Sequence, residues 1–262
     1  MNEQQPKTEK FPVETIDLPS EGFFYDQENP LSSGKIRLRQ PTAKHEDILT
    51  SKNLITKGIV IDEFLKAIIV DPINYDTLLL GDKNGLMIAG RILLYGSEYK
   101  TQVKCPSCAT TSNHTYNLSQ LETKELDFSK CTTGVNEFDF ILPVSKVPIK
   151  VKLLTNRDEI DITSYLKMSK KQNLSSVENE ISTRLGYVIT NWNGETNRQK
   201  ILRLVAEELL GRDSYALRDF LLDINPGVNT DVSFSCGECG HEATISLPMD
   251  VNFFWPTRRL QE

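Results

Sequence analysis

Two Cys-x-x-Cys turns, far apart in sequence, constrain this chain more than any other feature. The first is Cys105-Pro106-Ser107-Cys108. The second is Cys236-Gly237-Glu238-Cys239, followed by Gly240. A tight turn between two cysteines brings their sulfurs within reach of one ion. Two such turns supply four thiolates, the set that a closed tetrahedral zinc site requires. The expectation is that Cys105, Cys108, Cys236 and Cys239 share one structural Zn2+. The chain between the two turns is then an insertion whose ends are tied together.

The flanking residues favour this arrangement. Glu98 to Lys104 and Thr111 to Leu118 read as strands on either side of the first turn. Thr230 to Phe234 and Glu242 to Leu247 do the same around the second, with β-branched residues in loose period-two alternation. Each turn thus caps a β-hairpin, and two hairpins meeting at their tips make a zinc ribbon. Gly240 suits a positive φ just after the second turn.

Other uses of the cysteines stay open at this point. Two redox dithiols are one, although a thioredoxin-like motif calls for a βαβ context that the flanks do not supply. Disulfides are another, and they are disfavoured because no secretory leader is visible ahead of the motifs, so a reducing compartment is expected. His114 or His241 standing in for one thiolate is a third. Cys131 lies outside both turns and reads as a buried or half-buried thiol rather than a ligand.

Composition narrows the classes. The 262 residues suffice for a sizeable core, and 39% hydrophobic with 25% charged residues is ordinary for a globular protein. No apolar run approaches the roughly 20 residues of a membrane-spanning helix. The net charge of −6 and the lack of a dense basic run argue against a nucleic-acid-binding ribbon, which needs cations against phosphate. A nucleic-acid-binding or transcription-associated zinc ribbon is nevertheless the second functional reading.

Along the chain, residues 1–14 read as a flexible polar tail. Pro19, Ser20 and Gly22 mark a turn, followed at once by Phe23, Phe24 and Tyr25. Gly34 to Arg39 alternates as a strand. Thr42 is placed to cap a helix over 43–49, with His45 as a surface residue of that helix. Apolar spacing predicts a second helix over 61–69, ended by Asp71-Pro72. Asp82 is expected to cap a nearly all-apolar helix over 83–95, in which Arg91 requires a carboxylate partner.

The insertion begins near Leu118 and reads as a hairpin over 138–143 and 149–153. Helices are expected after it over 159–170, 177–190, 198–209 and 214–223, with a turn at Asn191-Trp192-Asn193-Gly194 and Asp213 or Ser214 as a cap. The fold class is therefore α+β: a helical N-terminal part, a zinc-ribbon-like pair of β-hairpins, and an inserted hairpin-plus-helices subdomain. The divisions are 15–118, 119–229 and 230–262 after the tail.

Two aromatic runs sit near the ends, Phe23-Phe24-Tyr25 and Phe253-Phe254-Trp255. Neighbouring strand residues face opposite sides, so three consecutive aromatics in a strand cannot all enter one core. Aromatics also dominate interface hot spots. These six residues are candidate partner contacts, against the plainer alternative that they pack within the chain. Catalytic signatures are missing: no His-Glu-x-x-His, Gly-x-Ser-x-Gly, phosphate loop or dinucleotide fingerprint is present. Gly81-Asp82-Lys83-Asn84-Gly85 lacks the ending of a phosphate loop. Four cysteines would saturate a zinc ion and leave no open position, so no enzyme activity is expected.

Several pieces then coincide in order: Leu18-Pro19-Ser20-Glu21-Gly22-Phe23-Phe24-Tyr25, Glu46-Asp47-Ile48-Leu49-Thr50-Ser51, Leu79-Leu80-Gly81-Asp82-Lys83, and Tyr95-Gly96-Ser97-Glu98-Tyr99 leading to the first Cys turn. Pro226-Gly227 precedes the second, and Phe253-Phe254-Trp255-Pro256 closes the series. Together, over residues 16–256, they resemble the baseplate hub proteins of T4-like contractile-tailed bacteriophages. The resemblance implies a structural or assembly role in the tail baseplate of the virion, with assembly in the host cytoplasm. It implies other baseplate or tail proteins, or further copies of the chain, as partners. It supplies no catalytic residues.

Overall fold

The computed structural model describes residues 11–128, 131–171, 179–249 and 253–255. The polar tail expected over 1–14 lies outside the described residues as far as residue 10. Strand β1 (Val13–Asp17) pairs antiparallel with β2 (Lys35–Arg39), Ile16 opposite Ile36. Between them the chain makes the predicted turn, in which Gly22 has φ +77; a Cβ there would lie 2.5 Å from Gly34 N and Ser32 O.

Helix α1 (Ala43–Leu49) starts after Thr42, as expected, and His45 Nδ1 accepts a hydrogen bond from Thr42 N at 2.9 Å. His45 is thus part of the cap. A short helix, α2 (Lys52–Lys57), was not legible in the sequence; it has no buried residue and so no apolar stripe to reveal it. Helix α3 (Val60–Ile68) buries Phe64, Leu65 and Ile68.

Helix α4 (Leu80–Tyr95) begins three residues before the expected start at Lys83, because Leu80 N bonds to Leu154 O and Lys83 N closes the first turn on Leu79 O. Asp82 therefore lies inside the first turn and caps nothing. It is fully buried, and it accepts hydrogen bonds from Ser20 N (2.8 Å), Ser20 Oγ (2.7 Å) and the Tyr25 hydroxyl (2.6 Å). The anchor for the 18–25 turn is thus a carboxylate on α4. Burial pushes the Asp82 pKa up, against the pull of these three bonds.

Arg91 is also buried in α4, but its partners are not the carboxylate that sequence reasoning demanded. Its guanidinium donates to the carbonyls of Phe253 (2.7 Å), Gly96 (3.1 Å) and Glu98 (3.4 Å) and lies over the rings of Tyr95 and Tyr99. Backbone carbonyl oxygens accept from this buried fork of N–H donors without a carboxylate.

Strands β3 (Glu98–Lys104) and β4 (Thr111–Asn117) form the first Cys hairpin. The insertion then contributes β5 (Phe138–Ile141) and β6 (Pro148–Val151), followed by α5 (Asn156–Lys171) and α6 (Glu180–Val188). The helix expected over 177–190 stops at Val188; its first two residues lie outside the described ones. Ile189 leaves the helix to begin a third strand, β7 (Ile189–Trp192), on the free edge of β6. Pairing of a short apolar segment with a sheet edge overrode its helical pattern here. Helices α7 (Arg198–Glu207) and α8 (Gly211–Ile224) follow. Asp213 lies in the first turn of α8 and accepts from Val144 N and Ser145 N at 2.7 and 3.0 Å, holding the β5–β6 turn rather than capping its own helix. Strands β8 (Asp231–Ser235) and β9 (Glu242–Ser246) form the second Cys hairpin.

The protein is thus a mixed α+β fold with eight helices and small antiparallel sheets among the described residues. One core cluster runs from Leu18 through α3 and α4 into the insertion, where Phe24 meets Phe138 edge to face at 5.6 Å. Asn156 N donates to Leu78 O, and Lys83 Nζ donates to Asn156 Oδ1 while pairing with Asp62. The insertion therefore packs directly on the N-terminal helices. Gly81 allows the closest of these approaches, since a Cβ there would lie 1.9 Å from Pro226 O.

Candidate metal centre

The two Cys turns are built alike. In the first, Cys105 N donates to Thr110 O and Ala109 N to Cys105 O; in the second, Cys236 N donates to His241 O and Gly240 N to Cys236 O. Ala109 and Gly240 both have positive φ, at 60° and 71°. The glycine meets that requirement without strain, as its position in the sequence suggested; the alanine occupies the same conformation against its Cβ. Below each turn the strands bury one apolar residue, Val103 and Phe234. With Cys105 and Cys236 these make a small core of their own, separate from the main one.

The fold brings the tips together. Cys105 Sγ lies 3.8 Å from Cys239 Sγ, and Cys108 Sγ lies 3.7 Å from Cys236 Sγ. All four sulfurs lie within 4.8 Å of one another. A tetrahedral zinc with bonds of about 2.3 Å needs sulfur–sulfur edges of about 3.8 Å, so the donor set fits such an ion. The first cysteine of each turn is buried and the second exposed, which leaves one side of the group open to solvent.

Crowding of the four sulfurs spreads their proton affinities. Hydrogen bonds from Thr110 pull the Cys108 thiol down to about 6. A bond from the His241 backbone lowers that of Cys239, but hydrogen bonds with Cys108, Cys236 and Cys105 together with burial outweigh it, and the value is pushed up to about 12. Sulfurs this close do not all ionise without a cation among them, and a bound metal makes each one a thiolate.

Neither histidine enters the group. His114 packs its ring 4.9 Å from Phe234, and its Nε2 meets Ser112 Oγ at 2.8 Å; His241 contributes through its backbone. Cys131 also lies outside it, half-buried against the main core.

The profile of the family described as T4 bacteriophage base plate protein matches residues 23–255. The chain belongs to that family. Among curated proteins and solved structures nothing matches it.

The aromatic runs of this baseplate protein are placed mainly inside it. Phe24, Tyr25, Phe253 and Phe254 are buried, while Phe23 and Trp255 are half-buried against the same core. Phe23-Phe24-Tyr25 lies in a turn, so the alternation that keeps strand neighbours on opposite sides does not apply. Phe24 and Phe23 pack on Phe128, and Tyr25 reaches Asp82. At the other end, Phe253 meets Tyr99 at 5.2 Å, Phe254 meets Phe64 at 5.7 Å, and Trp255 Nε1 donates to Leu49 O at 2.8 Å. No described helix is long and apolar enough to cross a membrane.

Proposed function

We propose that this chain is a non-enzymatic component of the tail baseplate hub, clamped by one Zn2+ on Cys105, Cys108, Cys236 and Cys239. It acts through contacts with other tail proteins or further copies of itself. Membership of the baseplate family over residues 23–255 carries the structural role. The sulfur–sulfur edges of 3.7 and 3.8 Å support zinc in particular.

In this reading the metal closes a zinc ribbon formed by the hairpins of 15–118 and 230–262, and the intervening 119–229 is a subdomain held at both ends. Four sulfurs complete the coordination of zinc and leave no position for water or substrate, so the ion stabilises and does not react. Phe23 and Trp255 are the members of the two aromatic runs that keep surface for a neighbour. The protein resides in the virion tail and is assembled in the host cytoplasm.

The deciding experiment is mass spectrometry of purified particles and of baseplate assembly intermediates. The chain is expected in hub-containing intermediates. Its absence from both preparations overturns the reading.

A further inference from the structure

A cleft of about 510 Å³ opens where the start of α4 meets the β6–α5 junction, α6 and α8. This volume falls within the roughly 300–1,000 Å³ of ordinary binding pockets. Its apolar lining comes from Leu154, Val188, Leu221 and Leu222, and its charged lining from Lys152, Arg184 and Arg218; no carboxylate lines it. Asp158 accepts both bonds from Lys152 Nζ at 2.8 Å, and Glu159 grips Arg184 in a two-pronged pair, so these cations are fixed in place and largely neutralised from behind.

Arg218 differs. It forms no ion pair among the described residues; its Nε makes a long 3.4 Å bond to Ser214 O, and its guanidinium lies 6.0 Å from the Tyr215 ring. Tyr215, Arg218 and Leu222 fall at i, i+3 and i+7 of α8, one stripe of the helix. All three are exposed, Tyr215 by 67% and Leu222 by 64%. Asp219 and Asp223 sit one residue on, about 100° around the helix. A helix that leaves tyrosine and arginine in solvent beside an apolar cleft carries two of the residue types that dominate binding energy at interface centres.

We infer that this cleft and the exposed α8 stripe dock a segment of another protein that presents a leucine-like side chain next to a carboxylate. The apolar side chain enters between Leu221, Leu222 and Val188, and the carboxylate pairs with Arg218. Charge complementarity selects the occupant, because the cleft is lined by cations and no carboxylate, and Arg218 is the lining cation with no ion pair among the described residues. The inference rests on the baseplate reading only in that the occupant is a protein.

The test is an anisotropy titration of the full-length chain with a fluorescein-labelled 12-residue peptide of glutamate and leucine, the leucines four apart. Wild type is expected to bind in a salt-sensitive manner. Arg218→Glu and Leu222→Glu are each expected to weaken binding about tenfold or more. Arg203→Glu, at an exposed site on α7, should leave it unchanged. Both target residues are exposed, and an unchanged Tm confirms that the variants fold. Absence of binding, or equal binding by wild type and both variants, overturns the proposal. Equal binding by a leucine-free glutamate peptide overturns it as well, by revealing an anion site only. None of these outcomes depends on whether the chain is recovered from baseplates.

Discussion

Cys105 Sγ and Cys239 Sγ lie 3.8 Å apart although 134 residues separate them along the chain. With the matching pair Cys108 and Cys236, this contact joins two hairpins that share only a small apolar core. Closing so long a loop is entropically costly, and an ion bound to both ends offsets that cost most when the intervening chain is long. The purified protein is expected to carry one zinc per chain by elemental analysis. Cys105→Ser and Cys236→Ser should each abolish retention, whereas Cys131→Ser should leave it intact. Chelation should lower Tm and expose the hairpins to protease. Full metal retention by either ligand variant would refute the four-cysteine site.

The second relationship to test is Asp82 with Ser20 and Tyr25. Asp82→Ala leaves three donors in the interior without an acceptor and should cost about 3–5 kcal/mol. Its pH dependence is more diagnostic. Burial raises the Asp82 pKa in the folded state above the ordinary 3.8, so the folded protein holds that proton more tightly than the unfolded chain. The associated stabilisation is full below 3.8 and fades as pH rises toward the raised value. Denaturant unfolding of wild type and Asp82→Asn across that range should show the wild-type advantage shrinking as pH rises. A difference that stays flat, or that grows with pH, contradicts this account.

Arg91 ties α4 to the C-terminal aromatic run and to the entry of β3. Arg91→Met keeps much of the side-chain volume but leaves the carbonyls of Phe253, Gly96 and Glu98 without their donor. A loss of about 2–4 kcal/mol is expected. Cleavage by chymotrypsin near residues 253–255 should accelerate before global unfolding, because the contact is local. Equal cleavage rates in variant and wild type would show that the aromatic packing alone holds that segment.

Phe253 is 1% exposed, packed between Tyr99 and Phe254. Phe253→Ala is therefore expected to destabilise the isolated protein by about 3–5 kcal/mol. Trp255→Phe, which removes the bond to Leu49 O and part of a half-buried ring, should cost about 1–2 kcal/mol. Thermal unfolding of the purified chain separates these from a partner-surface role, in which both substitutions would leave the isolated protein unchanged.

Local chemistry carried much of the architecture. The two Cys-x-x-Cys turns, the β-branched alternation around them and the Thr42 cap depend on contacts within a few residues, and each is found where its pattern lies. Hairpins β3–β4, β5–β6 and β8–β9 were legible for the same reason: a period-two pattern flanking a turn specifies its own partner. The profile match over residues 23–255 likewise follows from the sequence alone.

What needed tertiary structure was every choice among non-local partners. Ile189 joins β6 instead of continuing a helix because a free sheet edge lies beside it. Asp82 serves Ser20 and Tyr25 instead of capping its helix, since Leu80 bonds to Leu154 and starts the helix early. Arg91 finds carbonyls where a carboxylate was expected, and the aromatic runs enter the core because turns, unlike strands, let neighbours face the same way. Sequence periodicity records which residues avoid water, whereas which of them meet depends on the path the rest of the chain takes between them.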